Sequence, residues 1–117
     1  FFLAGIGVLS KADHTSQRQL LREVIKQYEA LKDGRALLRF FIAQPTDEKE
    51  RKMLEEEKRE YSDVVLVQVP EGYANVPEQT VGMMRHFTDV ESCRFIVKTD
   101  DDVLVRADRI CEWLDGM

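Results

Sequence analysis

Four short stretches of this chain are apolar almost without interruption: residues 1–9, 36–43, 64–69 and 95–97. A strand with one face in water alternates apolar and polar side chains. These stretches do not alternate, so both of their faces must be covered. Between them lie segments with helical spacing. Strand and helix repeated in this way imply an α/β chain, with a mainly parallel sheet and helices on both faces. In such sheets ligands bind outside the carboxyl ends of the strands, where the strand order reverses. Function is therefore expected in the residues that follow each apolar run.

The first strand is expected over residues 2–9. Its Gly5-Ile6-Gly7-Val8-Leu9-Ser10 carries two glycines of a dinucleotide fingerprint, but Ser10 stands where the third belongs. Both glycines also lie inside the apolar run, which argues against a dinucleotide site. A helix is expected over 16–32, with Ser16 and Gln19 as a capping box and Gly34 as its stop. Leu20, Leu21, Val24, Ile25, Tyr28 and Leu31 form its apolar face. Arg18 and Arg22 share another face near its start, and read either as solvated or as phosphate contacts. The second strand covers 36–43 and ends at Pro45. In residues 47–60, twelve of fourteen side chains are charged with mixed signs, so a solvated helix is expected there. Glu48–Lys52 and Glu55–Arg59 support it at i,i+4, and Met53, Leu54 and Tyr61 alone can face inward. The third strand covers 64–69. Pro77 opens a further helix, with Val81, Met84 and Phe87 inward and Met83 and Met84 as core filler. A last helix over 107–114 turns Ile110, Trp113 and Leu114 inward.

The fourth run, Phe95 to Val97, is expected to be a buried strand, and it leads directly into Asp100-Asp101-Asp102. In extended backbone Asp100 and Asp102 point the same way, with about 6–7 Å between their Cα atoms. Two such charges about 5 Å apart repel by about 3 kcal/mol at an effective dielectric near 20, less where water screens them. Three together are best tolerated with a cation among them. Hard divalent ions with oxygen ligands suit such a site, and Mg²⁺ or Mn²⁺ commonly bridges carboxylates to a substrate's phosphates. The competing reading is a solvated acidic turn.

The totals remove several alternatives. At 117 residues there is at most one ordinary domain, and a net charge of −5 disfavours a nucleic-acid partner. Cys93 and Cys111 form no CxxC, and with only His14 and His86 beside them a zinc site lacks sequence-close ligands. Both cysteines read as free buried thiols in preference to a disulfide. The nine apolar residues that open the chain are too few to span a bilayer. Both ends read as continuing into something longer.

Taken together the motifs resemble a known family. Lys98-Thr99-Asp100-Asp101-Asp102-Val103-Leu104-Val105 resembles the K-x-D-D-D-V-F-V segment of the β-1,3-galactosyltransferase and N-acetylglucosaminyltransferase family, glycosyltransferase family 31. Gly7-Val8-Leu9-Ser10, with Arg18-Gln19-Leu20-Leu21-Arg22-Glu23 after it, is similar to that family's opening. Phe40-Phe41-Ile42-Ala43, Glu57 to Val65 and Tyr73-Ala74-Asn75-Val76 follow in the family's order, and Cys93 precedes the triplet as a family cysteine does.

The resemblance implies a Rossmann-like GT-A fold, with residues 1–117 as the donor-binding part of a glycosyltransferase domain. It implies a hexosyltransferase that moves a sugar, galactose or N-acetylglucosamine, from a UDP-sugar to a glycan or glycoprotein acceptor, with inversion and with Mn²⁺ or Mg²⁺. By the same resemblance Asp100 and Asp102 bind the metal, Asp102 foremost, while Asp100 and Asp101 hold the ribose or assist. Ser10, Arg18, Arg22 and Asp63 line the nucleotide pocket. The catalytic base and the acceptor region are expected in a C-terminal half outside this chain, and so no catalytic residue is expected within it. A Golgi-lumenal location, in a type II membrane protein anchored by a segment outside the chain, is implied as well. The alternative reading is a non-catalytic nucleotide-binding module of the same fold. A phosphoryl-receiver domain is disfavoured, because Ser10 and Val69-Pro70 stand where its acids belong.

Overall fold

A computed structural model describes residues 2–117, with Tyr73 defined in its backbone alone; Phe1, the first residue of the opening apolar run, lies outside the described residues. The four apolar runs form four strands, β1 (Phe2–Ser10), β2 (Ala36–Gln44), β3 (Val64–Pro70) and β4 (Cys93–Asp100). They pair in parallel in the order β3-β2-β1-β4. The helices are α1 (Thr15–Ile25), α2 (Glu29–Lys32), α3 (Glu48–Tyr61), α4 (Val76–Arg85) and α5 (Ala107–Asp115). A π-helical turn, His86–Val90, prolongs α4. The α/β class and the parallel sheet are as the apolar runs predict.

The topology places the helices. From β1 through β2 to β3 the chain steps one way across the sheet, and right-handed crossovers put α1 and α3 on one face. It then returns across the sheet through α4 to lay β4 on the far side of β1, which puts α4 on the opposite face. Two cores result. On one face Ile6, Val8, Phe40 and Ile42 meet Leu21, Ile25, Leu54, Cys111 and Leu114. On the other, Leu37, Phe41 and Val67 meet Met83 and Phe87, with the Phe41 and Phe87 rings edge to face at 5.3 Å. The strand order reverses between β1 and β4.

Gly5 and Gly7 belong to this second core. A Cβ on Gly5 would stand 2.7–2.9 Å from Cys93 Sγ and the Phe87 ring, and one on Gly7 would run into Met83. The paired glycines let α4 and its π turn approach β1, so their spacing reflects packing and not a phosphate loop.

Several helix faces differ from expectation. The helix expected over 16–32 is broken between Ile25 and Glu29, where Tyr28 is extended. In an unbroken helix Ala30, five residues on, would lie about 140° round from Ile25. The break instead buries both. Ser16 and Gln19 form no capping box; α1 starts one residue earlier, and Gln19 is hydrogen-bonded with Tyr61. The buried face of α1 is Arg18, Leu21, Arg22 and Ile25, while Leu20 is 68% exposed. On α3 Leu54 and Glu57 are buried and Met53 is exposed. On α4 the inward residues are Gln79 and Met83, with Val81 and Met84 exposed, and the π turn then directs Phe87 inward. On α5 Ala107, Cys111 and Leu114 are buried and Trp113 is 67% exposed. β4 is half-buried along its length, because it has a neighbour on one side only. Cys93 and Cys111 are free thiols, and burial pushes both above the usual thiol range.

Candidate functional site

Pairing of β1 with β4 sets Leu9 opposite Asp100, so the two strands end side by side at their carboxyl edge. Ser10 closes β1 and Asp100 closes β4. A cleft of about 650 Å³ opens there. Ser10, Lys11, Asp13 and His14 line it from the end of β1, and Ala43 from β2. Glu71 and Gly72 contribute from the loop after β3, Val76 and Gln79 from α4, and Asp100, Asp101 and Asp102 from β4. Its position is where an open parallel sheet holds ligands.

The three aspartates are not equivalent. Asp101 is turned into the protein, where its Oδ2 accepts from Ser10 Oγ at 2.7 Å and lies 2.8 Å from His14 Nδ1. A carboxylate only accepts, so the shared proton belongs on His14 Nδ1. Asp100 and Asp102 are exposed, and among the described residues neither side chain has a hydrogen-bond or ion-pair partner. Val103 N–H donates to the Asp100 carbonyl and closes the turn that separates them.

Behind Ser10 lies a buried charge network. Arg18 is fully buried, with Nε and Nη2 on the two oxygens of Glu57 at 2.7 and 2.8 Å. Its Nη1 donates to Ser10 Oγ at 2.9 Å and to the Lys11 carbonyl, and its Nη2 to the Ala12 carbonyl. Arg22 donates to Glu57 and to both oxygens of Asp63, and its guanidinium lies over the Tyr61 ring at 3.9 Å. Burial pushes the Glu57 carboxyl up, but hydrogen bonds and charge from Arg18 and Arg22 outweigh it and hold the carboxyl below its usual range. Neither expectation for the arginines, solvated or contacting phosphate, describes this arrangement. Arg18, Arg22 and Asp63 do not line the cleft, whereas Ser10 and Asp100 to Asp102 do.

Sequence reasoning missed Lys11, Asp13, Glu50 and Glu71 of the cleft wall, and also His14 and Glu57. His14 stands four residues before Arg18, a spacing that sets both on one side of the helix start. Glu57 lies three residues after Leu54 and so shares the inward seam of α3, although a charge-dense run hides that.

The cleft is strongly acidic. Six carboxylates line it (Asp13, Glu50, Glu71 and the triplet) against one lysine, Lys11. The Glu50 carboxyl is raised first by lost hydration and then by Glu71, Asp47 and Asp13. Among the described residues no three His, Cys, Asp or Glu side chains converge on one point. The donor set therefore suits a hard cation held by one or two carboxylates, with its remaining ligands drawn from water and from a substrate's phosphates. It does not suit a fully protein-caged ion.

Residues 16–117 match the family model described as galactosyltransferase. A β-1,3-galactosyltransferase of Arabidopsis thaliana is 34% identical over 105 residues, covering 90% of this chain and 16% of the relative. A hydroxyproline O-galactosyltransferase of the same plant is 28% identical over 112 residues, covering 96% of this chain and 16% of the relative. A UDP-GalNAc:β-1,3-N-acetylgalactosaminyltransferase of Xenopus tropicalis is 34% identical over 65 residues, covering 56% of this chain and 13% of the relative. The chain thus spans about one-sixth of the length of these two Arabidopsis relatives.

Proposed function

The chain belongs to the galactosyltransferase family, and on that premise we propose that it forms the donor-binding part of a metal-dependent hexosyltransferase. The donor is a UDP-sugar and the metal Mn²⁺ or Mg²⁺, and a galactosyl or N-acetylhexosaminyl group passes with inversion to a glycan or glycoprotein acceptor. Relatives named for galactose and N-acetylgalactosamine transfer support this choice of sugar. The proposal extends to a Golgi-lumenal enzyme anchored by a segment outside this chain. Among the described residues no helix is long and apolar enough to cross a membrane.

The observation that carries the reading is the pair of free carboxylates, Asp100 and Asp102, on either side of a tethered Asp101 in an acid-lined cleft at the strand-order switch. A diphosphate entering this cleft alone would meet six carboxylates, so binding requires added positive charge. Asp102, past the strand end and exposed, is the principal metal-binding side chain, and Asp100 is the second. A divalent cation there supplies charge stabilisation for the oxygen of the departing nucleoside diphosphate. Asp100, Asp102 and Lys11, which line the cleft, would orient the donor. No side chain of the chain is assigned the role of base toward an acceptor hydroxyl.

The test is calorimetric titration of the chain with UDP, with and without Mn²⁺. The expected result is UDP binding that depends on Mn²⁺ and that falls at least about tenfold in Asp102→Asn, which removes a ligand charge from an exposed position. Equal UDP affinity with and without Mn²⁺, or in Asp102→Asn and wild type, would overturn the metal reading.

A further inference from the structure

We propose that Asp101 is a strut and not a ligand, and that Ser10 and the buried Arg18 behind it aim Asp100 and Asp102 into the cleft. The functional part of this inference rests on the reading of Asp100 and Asp102 as a metal-binding pair. Direction in the hydrogen-bond chain carries the argument. Glu57 accepts twice from Arg18, and Arg18 Nη1 donates to Ser10 Oγ at 2.9 Å. A guanidinium has no lone pair to offer, so Ser10 must accept from it and is left with one proton to give. Its short contact, 2.7 Å, is to Asp101 Oδ2, against 3.5 Å to the Lys11 carbonyl. The chain therefore runs one way, from the Arg18 cation through a hydroxyl to the middle carboxylate. His14 holds the same oxygen from the cleft side at 2.8 Å.

Asp101 is thus fixed by two short bonds while its side chain is only 10% exposed. Both bonds fall on Oδ2, so a cation could take that oxygen only by displacing its two donors, and the rest of the side chain is turned away from water. Its neighbours face no such cost. Asp101 is the second residue of the four-residue turn that the Val103 to Asp100 bond closes, so fixing it also constrains the directions of Asp100 and Asp102 on either side. Arg18 is accordingly a positioning residue that acts through Ser10. This part differs from the ribose contact that the family resemblance implies for Asp101.

Two measurements on the full 117-residue chain test the proposal. The first needs no metal: amide hydrogen exchange at Val103 in wild type and in Ser10→Ala. Exchange at Val103 should speed up in the variant while amides of β1 and β2 keep their protection. Unchanged protection at Val103 overturns the strut. The second is Mn²⁺ affinity, read from the electron paramagnetic resonance of free Mn²⁺, in the presence of UDP. Asp101→Asn keeps an acceptor oxygen for Ser10 and His14, and should hold affinity within about threefold, whereas Asp101→Ala and Ser10→Ala should each lose about tenfold or more. Ser10→Ala in the Asp101→Ala background should add nothing further, because both remove one chain. An Asp101→Asn loss as large as that of Asp102→Asn makes Asp101 a ligand and overturns the proposal. If wild type binds no Mn²⁺, the metal reading and the aiming role both fail, and the Val103 exchange still decides whether Asp101 braces the turn.

Discussion

Glu57 shows how one side chain can serve both stability and the site. It is buried on α3 among Arg18 and Arg22, and removing its charge would leave the buried Arg18 guanidinium with no carboxylate partner, while Arg22 keeps Asp63. Glu57→Gln should destabilise the chain by about 3 kcal/mol at neutral pH, since losing one partner of a buried pair strands the other charge. The effect has a pH signature. Because the folded carboxyl lies below its usual value, its contribution is fully present above about pH 4.5, the unfolded value, and drains away as pH falls through the folded one. Glu91 behaves alike: burial raises it, but Arg39 and His86 bring it down further. Urea denaturation between pH 7 and pH 3 should show stability falling on acidification, and the slope should be shallower in Glu57→Gln. Equal slopes in the two proteins would count against the network. Nothing in the residue types signals this arrangement, since buried arginines and a buried glutamate look like any solvated charges until Leu54 fixes which seam of α3 faces inward.

At the scale of elements, strands were the legible part. Unbroken apolar runs can satisfy only a sheet covered on both faces, and all four strands form where such runs stand. Ser10 and the triplet were legible for the same reason, as residues that close strands. Helix faces were less legible. Spacing alone placed Leu20, Val81 and Trp113 inward, whereas ion pairing on α1, the close approach of α4 and the small residues of α5 rotated the buried faces away from them. The close approach is itself testable. Gly5→Ala drives a methyl group to within 2.7–2.9 Å of Cys93 and Phe87, and Phe87 is wedged in the core. The expected cost is about 1–3 kcal/mol, measured by thermal or urea unfolding, with the π turn losing amide protection first. A Gly5→Ala protein as stable as wild type would mean that this face is loosely packed.

For the molecule as a whole, the cleft is an assembly of distant parts. Residues that close β1, β2 and β4, the loop after β3 and the start of α4 all meet there, and the contact between Ser10 and Asp101 joins positions 91 residues apart. The pairing of β1 with β4 has a kinetic consequence. β1 reaches β2 across a short stretch of chain, but it reaches β4 only when nearly the entire sequence has been gathered, and closing a longer loop costs more entropy. Pulsed hydrogen exchange during refolding should therefore protect amides shared by β1 and β2 before those shared by β1 and β4; simultaneous protection would argue for a single concerted step. If the order holds, the carboxylates that face the cleft are the last groups to find their places, and they do so against a partly built surface. A half-folded chain would then carry its acidic triplet on a loose tether, without the neighbours that orient it in the finished cleft.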